Sequence, residues 1–166
     1  QIMPEKAILA LSEASSISVL IVLSVLMLVL IIFSALISGS EVAYFSLDAK
    51  KRDALSSEKT NRGSRVLMLL EAPKKLLATI LIANNFINIS VVMVSFYFTK
   101  GVFADSGLSE TALFLINVVG ATFVILLFGE VIPKVYATKH GVSFSKFMSS
   151  PISFLSMIFA PFSKLL

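Results

Sequence analysis

No cysteine occurs among the 166 residues, and histidine occurs once, at His140. The first absence excludes a disulfide framework, a thiolate metal centre and a cysteine nucleophile. The second excludes a multi-histidine metal centre. Charge is scarce too: 14 basic and 10 acidic residues make up 14% of the chain, where an average soluble domain is roughly a quarter charged. With 57% apolar residues and a mean hydropathy of +0.93, this deficit excludes a soluble globular domain and a disordered tail, since both need polar surface. There is no glycine-rich nucleotide loop, so an ATP-driven pump would need a partner. No internal repeat or low-complexity tract is present. The net charge of +4 does not point to nucleic acid, because Lys and Arg beside apolar spans are the usual mark of a membrane protein.

What the chain has instead is long charge-free runs. Ala14 to Ser40, Leu76 to Thr99 and Thr111 to Gly129 contain no Asp, Glu, Lys or Arg. About 20 apolar residues in a helix cross the hydrocarbon core, so each run is long enough to span. The predicted spans are 17–39, 75–99 and 111–132. The first is rich in β-branched residues such as Val19, Ile21 and Val22. In lipid these do not argue for a strand, whose backbone would be left unpaired. A signal peptide fits the first run poorly, because only Lys6 precedes it, beside Glu5 and Glu13.

Twelve of the 14 basic residues lie between Glu41 and Lys75 or after the third run, and only Lys6 and Lys100 lie elsewhere. The positive-inside rule then places the 41–74 loop and the C-terminus in the cytoplasm and the N-terminus outside. Within the loop, Asp48 is positioned to cap a short helix through Ala54. A second helix, Arg65 to Glu71, is followed by Pro73, suited to the first turn of the next span. The loop's charges are most simply a solvated face against anionic headgroups. A fourth apolar run, from Phe147 to Ser163, is broken by Pro151 and Pro161. Ser145, Ser149, Ser156 and Ser163 fall within about 40° of one another on a helical wheel, beside Lys146 and Lys164. That stripe on an otherwise aromatic helix predicts a belt helix over about 142–166, lying in the interface on the cytoplasmic side. The expected fold is therefore an all-α membrane domain over residues 1–166, with three transmembrane helices and a juxtamembrane belt.

Polar residues at membrane depth are costly unless satisfied, and an ionisable one is a functional candidate. Three clusters qualify, one per span. Ser34, Ser38 and Glu41 are spaced i, i+4, i+7 on one face, and Gly39 between Ser38 and Ser40 would ease unwinding and expose carbonyls. The alternative is a membrane-exit cap with Glu41 in headgroup water. Asn84 and Asn88 share a face of span two that continues through Val91 to Ser95, while Asn85 points about 100° away. These asparagines serve either as interhelical hydrogen-bond glue or as ligands. Span three closes with Gly129-Glu130 and Pro133. A proline lacks its N–H, so the Gly129 carbonyl loses its helical partner beside the Glu130 carboxylate. The alternative for Glu130 is an i, i+4 ion pair with Lys134. Carboxylate, amide, hydroxyl and carbonyl oxygens are what a hard cation wants: Mg²⁺, Ca²⁺ or Na⁺. The candidate ligands are Ser38, Ser40, Asn84, Asn88, Gly129 and Glu130, with Ser34, Glu41, Asn85 and Pro133 as coupling-ion or gating residues.

Three motifs in order, Ser38-Gly39-Ser40-Glu41-Val42-Ala43, Leu81-Ile82-Ala83-Asn84-Asn85-Phe86-Ile87-Asn88 and Phe128-Gly129-Glu130-Val131-Ile132-Pro133-Lys134, resemble the transmembrane domain of the CorC/CNNM (cyclin M) magnesium transporters. The resemblance runs from Leu30 to about Leu166. It implies three transmembrane helices and a belt helix, assembled as a homodimer in the lipid bilayer, and cytoplasmic CBS domains beyond this stretch. It also implies Mg²⁺ export driven by Na⁺ entry, with the ion held by Ser38 or Ser40, by Asn84 with Asn88 nearby, and by Glu130. Ala83 stands where many relatives have glycine, and Glu41 matches the bacterial branch. Rival readings are a transporter of another cation, such as a Na⁺/H⁺ or Ca²⁺ exchanger, and a dimeric anchor for a gliding or secretion complex. No nucleophile–base pair suggests an enzyme.

Overall fold

A computed structural model describes residues 5–159, with side chains from Ser16 onward. Every regular element among them is helical, in the order α1 (Glu5–Phe45), α2 (Ala49–Ser57), α3 (Asn61–Glu71), α4 (Pro73–Val102), α5 (Glu110–Val124), a π-helical segment (Ile125–Val131) and α6 (Ile132–Ile158). Three helical stretches are long and apolar enough to cross a membrane: Ser16–Phe45, Pro73–Val102 and Glu110–Ile158. The all-α membrane architecture expected from the charge-free runs is the one observed.

Along α1 the surroundings change at Ser34. Before it, Ile17, Val19, Ile21, Val22 and Val25 are all exposed, as lipid-facing side chains are. From Ser34 onward Ile37, Ser38, Ser40, Ala43 and Tyr44 are buried by neighbouring helices. The helix does not unwind at Gly39 but continues to Phe45. Gly39 serves packing instead: a Cβ there would sit 2.8 Å from the Phe144 ring and 3.4 Å from the Pro133 carbonyl. Small residues of this kind let membrane helices approach closely.

The 41–74 loop folds as two short helices. Asp48 caps α2 by accepting a hydrogen bond from Lys51 N–H at 2.8 Å. Thr60 caps α3 through Gly63 N–H at 3.1 Å. Pro73 occupies the first turn of α4, where its missing N–H costs no hydrogen bond. Leu55 of α2 and Val66 of α3 join Tyr44, Leu47, Leu76, Ile80, Met148 and Ile152 in the main apolar core. The densest packing thus lies at the basic end of the bundle. At the opposite end, Gly107 takes a positive φ of +67° in the turn, Ser109 caps α5, and Lys100 pairs with Glu110 at 3.0 Å.

The predicted belt segment begins at a break in the third crossing: His140 leaves helical geometry (φ −120°, ψ 29°), and a second helical stretch runs from there to Ile158. Its serines do not face headgroups. Ser145, Ser149 and Ser156 are buried, while Phe147, Phe154 and Met157 are exposed. Tyr44 Oη donates to the Ser145 carbonyl at 3.2 Å, Arg65 donates to Ser150, and Lys146 pairs with Glu58. Ser145 and Ser149 donate to carbonyls of their own helix, so small hydroxyls satisfy themselves while α6 packs closely on its neighbours. Ser163 and Lys164 lie outside the described residues.

Candidate cation site

Three helices meet around one asparagine. Ser34 Oγ on α1 donates to Asn88 Oδ1 on α4 at 2.7 Å, and Asn88 Nδ2 donates to Glu130 Oε1 at 3.1 Å. Ser34 is fully buried; Asn88 and Glu130 are half-buried. The amide thus bridges a hydroxyl on one helix and a carboxylate on another. Gly129 makes the approach possible, because a Cβ there would stand 2.7 Å from Ser34 Oγ.

One helical turn further toward the 41–74 loop come Ser38 on α1 and Asn84 on α4. The two helices run antiparallel, so a step of +4 on one and −4 on the other moves about 6 Å in the same direction. Ser38 Oγ and Asn84 Oδ1 are buried with no hydrogen-bond partner. Leaving such a group unpaired costs roughly 1–3 kcal/mol. Pro133 approaches this layer through its carbonyl, close to Gly39.

The π-helical turn determines how Glu130 is presented. Ile132 N–H donates five residues back, to the Leu127 carbonyl. Pro133 follows in the first turn of α6 with no N–H to offer, and in the α register its partner would be the Gly129 carbonyl. The break expected at Gly129 therefore falls where the π segment hands over to α6.

Lys134 does not pair with Glu130 as the i, i+4 spacing allowed. It reaches across to Glu41 at 3.2 Å, tying α6 to α1 at the membrane exit. Among the described residues Glu130 has no ion-pair partner. Glu41 therefore belongs to a separate contact, a turn beyond Ser38. Two further candidates lie apart from the network. Ser40 is buried, but its hydroxyl donates to Leu36 O at 2.7 Å within α1, on the side of the helix away from Ser38. Asn85 is exposed on the outer surface of α4, near Ile89 and Met93.

Among the described residues no three His, Cys, Asp or Glu side chains come together. An ion at this place would be held by one carboxylate and neutral oxygens. That set suits a hard cation that keeps part of its water shell.

The family profile described as "Cyclin M transmembrane N-terminal domain" matches residues 25–166. The chain belongs to the cyclin M transmembrane family. A UPF0053 protein of Haemophilus influenzae is 35% identical over 140 residues, covering 84% of this chain and 32% of its own length. The UPF0053 inner membrane protein YfjD of Escherichia coli is 30% identical over 127 residues, covering 75% of this chain and 28% of its own. A UPF0053 protein of Synechocystis is 25% identical over 133 residues, 80% of this chain and 37% of the relative. This cyclin M domain thus spans about a third of the length of the curated relatives it matches, and the match takes in all three helices of the Ser34–Asn88–Glu130 network.

A second polar cluster escaped the sequence reading. Ser95 Oγ lies 2.7 Å and Thr99 Oγ1 3.4 Å from Asn117 Oδ1, joining α4 to α5. Ser95 was visible as a continuation of the asparagine face, and Asn117 as an amide inside a charge-free run. What was missing was the α4–α5 register that sets one against the other.

Proposed function

We propose that this cyclin M domain is a cation transporter that carries Mg²⁺ out of the cell in exchange for Na⁺. The carrying observation is the Glu130 carboxylate, held across α1 and α4 through Asn88 and Ser34, with no cationic partner among the described residues. The unsatisfied Ser38 Oγ and Asn84 Oδ1 in the adjoining layer supply further oxygens. A purely structural glue would leave neither the acid unneutralised nor these oxygens idle.

The existing network is complete without an ion, since Asn88 turns its NH₂ toward Glu130. Loading Mg²⁺ would rotate that amide so that Oδ1 and the carboxylate face the same point. Mg²⁺ takes near-octahedral oxygen ligands at about 2.0–2.1 Å and gives up water reluctantly. Glu130, Asn84, Asn88 and Ser38 would fill part of that shell and water the rest. Rigid-body movement of the helices would then carry the ion to the other side. The basic 41–74 loop faces the cytoplasm in this reading, in a bacterial inner membrane, with the N-terminus outside. The domain works as a homodimer, and CBS domains follow it in the longer protein.

The test is calorimetric titration and liposome flux with Glu130→Gln and Asn84→Ala. Both variants should stay folded, lose Mg²⁺ binding and stop Mg²⁺ movement. Transport retained in both would overturn the site. Tighter binding of Ca²⁺ than of Mg²⁺ would replace the substrate.

A further inference from the structure

The second polar cluster borders a half-open cavity of about 200 Å³ between α1, α4 and α5. Ser95, Thr99 and Asn117 line it together with Met27, Val91 and Gly120. Ser95 is 6% and Asn117 4% exposed, so the amide and the hydroxyl lie well inside the bundle. The cluster gathers three side-chain oxygens on the wall of this cavity. Ser95 Oγ lies 2.7 Å from Asn117 Oδ1 and 2.9 Å from the Val92 carbonyl, with a single proton to satisfy both. Thr99 Oγ1, at 3.4 Å, is a weak donor to the same amide oxygen. Two hydroxyls and an amide oxygen therefore converge beside this space.

Its relation to the Glu130 site is one of alignment. Ser95 lies seven residues beyond Asn88 on α4, about 10 Å along the axis and on the same face. Val91, buried between them, lines the cavity floor. One polar track along α4 is thus interrupted by a single valine.

We propose that the Ser95–Thr99–Asn117 pocket is a binding site for a monovalent cation of the size of Na⁺, separated from the Glu130 site by Val91. The inference rests on the reading of this domain as a cation transporter. Its charge argument is separate: the pocket has no carboxylate. Neutral oxygens do not offset the dehydration of a divalent ion, and Mg²⁺ would stay in water. A singly charged ion loses far less on leaving water, and three neutral oxygens with two or three waters complete its shell. The cavity has room for those waters, and its polar wall gives them partners.

The experiment follows thermal stability of the purified full-length protein in detergent as NaCl replaces choline chloride at constant ionic strength. A ligand that binds only the folded state raises stability in a saturable way. Wild type should show such a rise, with KCl less effective. Asn117→Ala and the milder, nearly isosteric Thr99→Val should each shift the Na⁺ midpoint at least about tenfold. Mg²⁺ titration of Thr99→Val should match wild type. The proposal is overturned if wild type shows no Na⁺-specific rise, which would mean the pocket holds water only. It is overturned equally if Thr99→Val and Asn117→Ala keep the wild-type midpoint, or if only Glu130→Gln moves it. A failure of Mg²⁺ binding in wild type would strike the transport reading and leave the Na⁺ midpoint to decide this one.

Discussion

Ser34, Asn88 and Glu130 join three helices around a carboxylate, whereas Ser95, Thr99 and Asn117 join two helices with no charge at all. Both clusters use an asparagine as the bridge, and both lie on the same face of α4. The difference shows what a single acid changes. Around Glu130 the helices are drawn so close that only glycine fits at 129, and the nearest lysine is engaged elsewhere. Around Asn117 the helices leave open space, and nothing lies within 4 Å of a Cβ built on Gly120. The acid is met by tight contact and the neutral oxygens by slack.

The two glycines make the sharpest contrast. Gly129→Ala should cost about 1–3 kcal/mol, since its methyl must displace the Ser34 hydroxyl from Asn88, and Mg²⁺ binding should fall with it. Denaturant unfolding in micelles measures the first and calorimetry the second. Stability equal to wild type would show that the contact is loose. Asn88→Ala comes next. It removes two interhelical hydrogen bonds, each worth roughly 0.6 kcal/mol on average in membranes, so a loss near 1 kcal/mol is expected. Gly120→Ala should move the other way, gaining up to about 0.5–1 kcal/mol from helix propensity in open surroundings. A loss there would mean that α5 packs more tightly than described.

The smallest change in stability is expected at the membrane exit. The Glu41–Lys134 pair is about one-third exposed on each side, and such pairs contribute roughly 0–1 kcal/mol. Glu41→Gln should therefore barely shift the unfolding midpoint. It frees Lys134, however, one helical turn from Glu130, and Mg²⁺ affinity should drop. Adding Lys134→Met to that variant should restore the affinity. If the single and double variants bind alike, Lys134 does not compete for Glu130.

Most of the architecture was legible because burial in lipid depends on composition, which a sequence displays directly. The charge-free runs predict spans, Asp48 and Pro73 mark helix starts, and the i, i+4 spacing of Asn84 and Asn88 places them on one face. Ser34, Asn88 and Glu130 were all singled out as polar residues at membrane depth, and the structure brings them into contact. Contacts that depend on register between helices were not legible. The 3.6-residue wheel showed the serine stripe of α6 correctly, yet polarity was the wrong guide to its environment. Hydroxyls that bond to their own helix are compatible with burial, and small side chains favour close packing more than they seek water. The Lys134 partner was likewise undecidable from spacing, since Glu41 and Glu130 are both within reach once α1 and α6 pack. The π-helical turn leaves no mark in hydropathy at all.

That turn carries one residue more than an α-helix of the same rise would hold between Ile125 and Val131. The surplus sets the phase between the two halves of the third membrane crossing. Taking one residue out would return the segment to α-helical winding and rotate α5 by about 100° relative to α6. With Pro133 and Glu130 anchored against α1 and α4, Asn117 would swing away from Ser95 and Thr99. The spare residue is thus the gear tooth that lets two polar sites, 13 residues apart on one strand of chain, face the same helix α4 at once.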